Sequence, residues 1–140
     1  MQTHASITIG LPQEVVFDFI ADPANDRSWR GSLVASQGDV TGVGDQVAQT
    51  YSYGDRPYTV VLKVAEYERP HRIAYRLSES VRVRLAFQLQ PDASGTRVTA
   101  HLSGMIGGPA ALLAGRIVQQ ATEQTKADLE RLKRVLEAQG

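Results

Sequence analysis

Alternation of apolar and polar residues dominates the first three quarters of the chain. Ala5, Ile7 and Ile9 alternate with Ser6 and Thr8, which is the period of a strand with one buried face. The same alternation recurs in six later segments, at residues 33–35, 47–53, 58–64, 73–77, 81–89 and 98–102. Turn-forming residues separate them, so the pattern predicts a sheet of about seven antiparallel strands.

Helical spacing replaces this alternation in three places. Residues 13–20 carry apolar side chains at helical spacing after Pro12, and Asp22 with Pro23 resembles the capped start of a second, short helix over 23–29. Residues 109–136 predict one long C-terminal helix. Its apolar stripe contains Leu113, Ile117, Ala121, Leu129, Leu132 and Leu136. Its other face pairs Asp128 with Arg131 and predicts a solvated surface.

This order of elements predicts an α+β fold in one domain over residues 1–140. The apolar face of the curved sheet needs a cover, and the C-terminal helix is the only element large enough. Small residues such as Ala114, Gly115 and Ala121 occupy its N-terminal half. A cavity is therefore expected there, unless Tyr51, Tyr58 and Tyr75 fill the space; both interpretations stay open.

Composition and charge narrow the classes of partner. Hydrophobic residues make up 42% and charged residues 21% of the chain, which is typical of a globular protein. Fifteen basic residues balance fifteen acidic ones, so neither a nucleic acid nor an anionic membrane is an expected partner. The sequence has no cysteine and no metal-ligand spacing, and we expect neither a signal peptide nor a membrane-spanning segment. We expect a cytoplasmic protein, a monomer or homodimer, without metal or cofactor.

The order of elements resembles the START-like helix-grip (SRPBCC) superfamily, and in particular its bacterial polyketide cyclase/dehydrase-type branch. The resemblance covers essentially the whole chain. It is carried by residues 12–17, 21–23 before Trp29, 42–44, 66–70, 95–98 and 129–133. It implies a curved sheet wrapped around the long helix, with two short helices between the first two strands. It also implies a scaffold that binds hydrophobic molecules, and it does not specify an activity.

Candidate site residues follow from strand parity and from the small-residue half of the helix. Gln49 interrupts an apolar face, so an inward amide there needs a partner, either a tyrosine hydroxyl or a ligand. The candidate ligand-binding residues are Trp29, Gln49, Tyr51, Tyr58, Leu62, Tyr75, Phe87, Leu113, Ile117 and Ala121. His101 shares its parity with polar residues and should face outwards, whereas His71 is expected at an exposed turn.

Three functions compete. The first is binding of a small hydrophobic or aromatic molecule, lipid-like or polyketide-like, in the cavity. The second is a polyketide cyclase or dehydratase, which needs polar groups that converge on the cavity, such as His71 with Tyr75 or Tyr51 with Gln49. The third is a co-chaperone-like interaction module with an exposed apolar patch. The catalytic residues, and whether the protein is an enzyme at all, are left open by the sequence.

Overall fold

The computed structural model describes residues 2–53, 56–77, 83–105 and 108–139. Seven antiparallel strands form one sheet, and they are β1 (Gln2–Ile9), β2 (Leu33–Gln37), β3 (Gln46–Tyr53), β4 (Arg56–Glu68), β5 (Arg72–Leu77), β6 (Val83–Asp92) and β7 (Gly95–Gly104). The helices are α1 (Gln13–Ala21), a first 3-10 helix (Pro23–Ser28), a second 3-10 helix (Gly108–Leu113) and α2 (Ala114–Gln139). The α+β architecture expected from the sequence is confirmed.

The sheet has the order β1-β7-β6-β5-β4-β3-β2. Strands β2 to β7 follow one another as hairpins, whereas β1 lies at the far edge beside β7. Helix α1 and the first 3-10 helix connect β1 at one edge of the sheet to β2 at the other edge. In the register of β1 with β7, Ala5 lies opposite Ala100 and His4 lies opposite His101.

The core lies between the concave face of the sheet and the helices. Inward residues of the central strands are almost fully buried, among them Ile73, Phe87 and Val98. On α2 the C-terminal half closes the core, because Leu129, Leu132 and Leu136 are at most 1% exposed. The alternation of each strand therefore sorts side chains into a buried concave face and a polar convex face.

Gly95 allows β1 and the β6–β7 hairpin to pack closely. Its φ of 142° lies in a region that favours glycine, and a Cβ at this position would collide with the backbone oxygen of Ile9. The Thr96 hydroxyl then donates to the backbone oxygen of Leu11 at 2.8 Å. These contacts fix the start of α1 against the sheet.

The helix ends differ from the sequence prediction in two details. The Asp22 carboxylate accepts the N–H of Ala24 at 3.0 Å, as expected of a cap, but the short helix is a 3-10 helix that ends at Ser28. The long helix begins at Ala114 instead of residue 109, since Gly108 has a φ of 62° and the following turn is of the tighter 3-10 type. The predicted start of a strand at Val81 lies outside the described residues.

No helix within the described ranges combines the length and hydropathy that a membrane span requires.

Candidate functional site

A cavity of about 290 Å³ lies between the concave sheet, the end of the first 3-10 helix and α2. Its walls are largely apolar and come from five strands and α2, with Val60, Leu62, Leu77, Val83, Leu85, Phe87, Ala100, Leu102 and Leu129. Polar groups are gathered at one side, at Arg30, Tyr51, Gln124, Thr125 and Asp128. An adjoining hollow of about 680 Å³ shares Leu102, Ala121, Gln124 and Thr125 with it. In this part of α2, Thr122 is hydrogen-bonded to Thr3 of β1, whereas Ala121, Gln124 and Thr125 face the open space.

Half of the candidate residues named from the sequence line this cavity. These are Trp29, Tyr51, Leu62, Phe87 and Ala121. Gln49 and Tyr75 are buried, at 1% and 3% exposure, but do not belong to its wall. The side chains of Tyr58, Leu113 and Ile117 lie outside the described residues.

Two opposite charges are buried at the polar side of the cavity. Asp26 and Arg30 are 4% and 7% exposed, and Arg30 Nε lies 3.6 Å from Asp26 Oδ2. They stand four residues apart, on and just after the first 3-10 helix. The guanidinium carbon of Arg30 lies 4.9 Å from the Trp29 ring centre and 5.5 Å from that of Phe87. Aromatic faces and one carboxylate thus hold the cation at the cavity.

A chain of hydrogen bonds links this ion pair to strand β3. Gln49 Nε2 donates to Asp26 Oδ2 at 2.7 Å, and the Tyr51 hydroxyl donates to Gln49 Oε1 at 2.7 Å. Tyr51 also interacts with the Arg30 guanidinium, which closes the chain into a ring. Gln49 therefore has the tyrosine hydroxyl as a partner, one of the two that its inward position required, together with a carboxylate.

Several buried polar atoms in this network have no hydrogen-bond partner among the residues that the structure describes. They are Nε and Nη2 of Arg30, Nε1 of Trp29 and Oδ1 of Asp26. The indole of Trp29 is close enough to Asp26 to favour its ionised form, but Nε1 and Oδ1 do not reach hydrogen-bond geometry. Buried polar groups are nearly always satisfied, so unpaired donors beside a cavity indicate a place for an acceptor.

The charge state of the network follows from its surroundings. Burial alone would lower the pKa of Arg30, but the Asp26 carboxylate and two tyrosines outweigh it, so the pKa of the guanidinium is raised and it stays protonated. Burial raises the pKa of the Tyr75 hydroxyl, and the nearby Arg30 only partly offsets this. Tyr75 therefore stays protonated and is a poor proton donor, and Arg30 is a permanent cation in an apolar space.

Asp128 places a second carboxylate at the cavity. Its Oδ1 accepts the N–H of Gly31 at 2.9 Å and Gln124 Nε2 at 2.7 Å. Burial raises the pKa of Asp128, while these hydrogen bonds and the cations of Arg30 and Arg131 oppose the rise. The Asp128–Arg131 pair exists, with a separation of 3.6 Å. The expected solvated position of Asp128 is wrong, because its side chain turns towards Gly31 and is only 18% exposed.

The histidines lie away from the cavity. His71 is exposed, and its Nδ1 lies 3.0 Å from Gln13 Nε2, so a His71–Tyr75 dyad does not form at the cavity wall. His101 is exposed on the convex face opposite His4, as the alternation of β7 predicted. In the described ranges, no three His, Asp or Glu side chains gather in a metal-binding group.

Comparison with solved structures supports the fold. The chain is 16% identical to TTHA0849 from Thermus thermophilus, with a TM-score of 0.85 over 100% of this chain and 99% of the other. It is 18% identical to MLL2253 from Mesorhizobium loti, with a TM-score of 0.79 over the same shares of both chains. SA2116 from Staphylococcus aureus, a protein of unknown function, is 7% identical with a TM-score of 0.83, over 99% of this chain and 94% of the other. At these identities the similarity concerns the fold alone.

A family assignment comes from the sequence itself. A comparison with curated proteins finds no match. The family model described as polyketide cyclase/dehydrase and lipid transport, by contrast, matches residues 1–137, from the first strand almost to the end of α2. With the seven-stranded sheet curled against a long C-terminal helix, this match shows that the chain belongs to the polyketide cyclase/dehydrase and lipid transport family.

Proposed function

We propose that the protein binds a small, largely apolar molecule in the cavity under α2 and holds one oxygen of that molecule on Arg30. The observation that carries the proposal is a buried guanidinium on the lining of an apolar cavity, with two nitrogens that have no hydrogen-bond partner among the described residues. Family membership supports it, because the family description includes both lipid transport and polyketide chemistry.

The physical argument concerns the cost of a buried charge. Moving a guanidinium out of water is unfavourable by several kcal/mol, roughly, unless its donors find acceptors. Asp26 offsets part of this cost through the ion pair. A carboxylate or carbonyl oxygen of a ligand would satisfy the remaining Nε and Nη2 donors. A cationic ligand would meet like charge at the same place, so the polar group of the ligand is acidic or neutral.

Cavity size limits the apolar part of the ligand. Sites for drug-sized molecules usually measure about 300–1,000 Å³, and the cavity of about 290 Å³ is at the lower end of that range. Aliphatic side chains and the ring of Phe87 form its walls. A compact aromatic or short aliphatic body fits these walls, and naphthoate is a suitable probe.

Filling the cavity is expected to abolish this binding. Ala121 lies on the cavity side of α2, and Ala121→Phe would place a ring in the space that the ligand needs. Naphthoate affinity, measured by isothermal titration calorimetry, should fall at least about tenfold, or 1.4 kcal/mol. Ala138→Phe is the matched control, because Ala138 is exposed near the end of the same helix. Equal affinities of the two variants would contradict the cavity as the binding site.

The polar group of the ligand is tested separately on the unmodified protein. Naphthoate, naphthalene carboxamide and naphthylmethylamine share one ring system and differ in charge. Because a hydrogen bond to a charged group contributes about 1.5–3 kcal/mol, we expect naphthoate to bind at least about tenfold more tightly than the amine, with the amide between them. If the amine binds as tightly as the acid, Arg30 does not hold the polar group of the ligand. In that case only the cavity part of the proposal stands.

Catalysis is the second candidate function, and Asp128 is the observation that favours it. A carboxyl group whose pKa is raised by burial, beside a fixed cation, is the arrangement that proton abstraction next to a carbonyl requires. Arg30 would stabilise the oxygen on which negative charge develops. Consumption of a poly-carbonyl probe by the unmodified protein, but not by Asp128→Asn, would favour a cyclase or dehydratase over simple binding.

A further inference from the structure

The convex face of the sheet carries a second group of polar side chains, on the opposite side from the cavity. Strand register places His4, His101 and Ala86 in one row across β1, β7 and β6. Arg84 lies one step along β6 from this row, opposite Ser103, and Arg72 of β5 lies opposite Gln88. Four strands thus bring two histidines and two arginines to one place.

These side chains surround a hollow of about 350 Å³. Ala86 forms its floor and is 4% exposed although it points to the outer face. The hollow is lined by Gln2, Thr3, His4, Arg72, Arg84, Ala86, Gln88, His101, Leu102 and Ser103. A small residue between long ones gives the hollow its depth, and most groups around it are hydrogen-bond donors.

Positive charge is in excess around the hollow. Glu66 lies between the two arginines, with Arg72 Nε at 2.5 Å and Arg84 Nη2 at 3.0 Å. One carboxylate holds both guanidiniums in place and neutralises only one of them. By strand register, the other charged groups of β4 and β5 on this face are Lys63, Glu68 and Arg76, which add no net negative charge.

The two histidines have no acidic partner of their own. Their ring centres are 6.1 Å apart with an interplanar angle of 32°. In the described part of the chain, neither forms an ion pair with a carboxylate. Partial burial lowers the pKa of His101, and the neighbouring His4 and Arg72 lower it further. An anion in the hollow would reverse this effect, because it would stabilise the protonated ring.

We propose that this hollow is a second binding site, specific for a doubly charged oxyanion such as inorganic phosphate or a phosphate monoester. Guanidinium and imidazole groups from β1, β7, β6 and β5 approach it from several sides, which suits a tetrahedral group with several acceptor oxygens. Among the described residues the hollow shares only Leu102 with the cavity lining, so its charged groups do not contact the cavity ligand. Neither Arg30 nor Asp128 takes part in it.

Binding and protonation are linked in a defined direction. A bound dianion raises the pKa of His101. The affinity for the dianion is therefore highest below the pKa that His101 has in the free protein, and it declines as the pH rises to the pKa that His101 has in the complex. Among the described residues, the charged groups that act on His101 are His4 from β1 and Arg72 from β5, while Arg84 from β6 lines the same hollow and is paired with Glu66 of β4. Sulfate keeps its charge over this range, so it isolates the histidine contribution from the titration of phosphate.

The test follows the His101 ring by NMR during titration with phosphate and with sulfate at constant ionic strength. Both anions should raise the pKa of His101, and Arg84→Gln should weaken binding at least about tenfold, by loss of a charge-assisted contact. Arg97→Gln is the matched control, because Arg97 is exposed on the same face of β7 but outside the hollow. His4→Gln, at an exposed position, provides a second variant with little risk to folding.

Two results would overturn the proposal. One is a His101 pKa that neither anion changes. The other is equal weakening by Arg84→Gln and Arg97→Gln, which would mean a diffuse effect of surface charge. Phenyl phosphate distinguishes the sources of the anion: tighter binding than inorganic phosphate assigns the site to a monoester, and equal binding assigns it to the free ion. Anion affinity should persist in Ala121→Phe, so failure of the cavity proposal would leave this one intact.

Discussion

Replacing Asp26 with asparagine is expected to lower the free energy of unfolding by about 3–5 kcal/mol, because Arg30 would remain buried without a carboxylate. Both side chains are less than 8% exposed, so water does not substitute for the lost partner. Gln49 would also lose a charged acceptor that now lies 2.7 Å away. Urea unfolding followed by the fluorescence of Trp29, the single tryptophan of the chain, measures the loss.

An exposed ion pair of the same chain supplies the matched control. Asp18 and Arg69 form a close pair at 2.7 Å, but their side chains are 54% and 49% exposed. Asp18→Asn should therefore change stability by less than about 1 kcal/mol. A loss of similar size at both positions would show that burial does not govern the effect.

The effect of Asp26→Asn should also depend on pH and on Arg30. Burial raises the pKa of Asp26 above its ordinary value of 3.8. The folded protein is then protonated at Asp26 at a higher pH than the unfolded chain, so proton uptake stabilises the wild type and the difference in stability between wild type and variant should widen as the pH falls through that pKa. Adding Arg30→Met to the variant removes the unpaired cation and should restore part of the lost stability.

Sequence patterns predicted the fold because apolar residues recur at a different spacing in strands than in helices. The alternation in β6 assigns Leu85, Phe87 and Leu89 to the concave face, and all three pack in or against the core. Leu129, Leu132 and Leu136 likewise follow from helical spacing. The start of α2 was misplaced because Pro109 is also acceptable in the first turn of a helix, and only the φ of Gly108 shows the 3-10 turn that intervenes.

The cavity was predictable where it depends on strand or helix parity, and unpredictable where it depends on buried charge. Leu62, Phe87 and Ala121 are apolar or small residues on inward faces, so the local pattern identifies them. Arg30 and Asp128 line the same cavity, but charged residues are almost always assigned to the surface. Their burial results from contacts between segments about a hundred residues apart, such as Gly31 with Asp128. One feature of the local sequence does indicate the ion pair: Asp26 and Arg30 are four residues apart, on either side of Trp29.

The convex hollow illustrates a similar limit. Alternation places His101 on the outer face, as predicted, and Arg84 lies on the same face of β6. Their approach to His4 and Arg72 depends on β1 pairing with β7 at the far edge of the sheet. That pairing joins residues 97 positions apart, namely His4 and His101. Register between strands, which local periodicity does not contain, therefore decides which polar residues become neighbours.

Trp29→Ala is the other variant with a large expected effect, a loss of about 3–5 kcal/mol in the free energy of unfolding. The indole is 1% exposed and stands edge-on to Phe87 at 5.7 Å between ring centres. It also lies under the Arg30 guanidinium, and the backbone oxygen of Trp29 accepts Arg131 Nη1 at 3.1 Å. Removal of the ring would leave a void joined to the cavity and would loosen the cation above it. Guanidinium chloride unfolding followed by circular dichroism measures the loss, since this variant has no tryptophan.

Added indole separates the lost packing from a general loss of the fold. A void with the shape of the missing ring should bind indole, and binding to the folded state alone raises stability by RT ln(1 + [L]/Kd). The Trp29→Ala variant should therefore regain stability as the indole concentration rises. Trp29→Phe, which keeps a ring against Phe87, should lose less stability and gain little from indole. A Trp29→Ala variant that is as stable as the wild type would mean that the indole does not hold the first 3-10 helix to the sheet. Arg30 would then owe its position to Asp26 and Tyr51 alone.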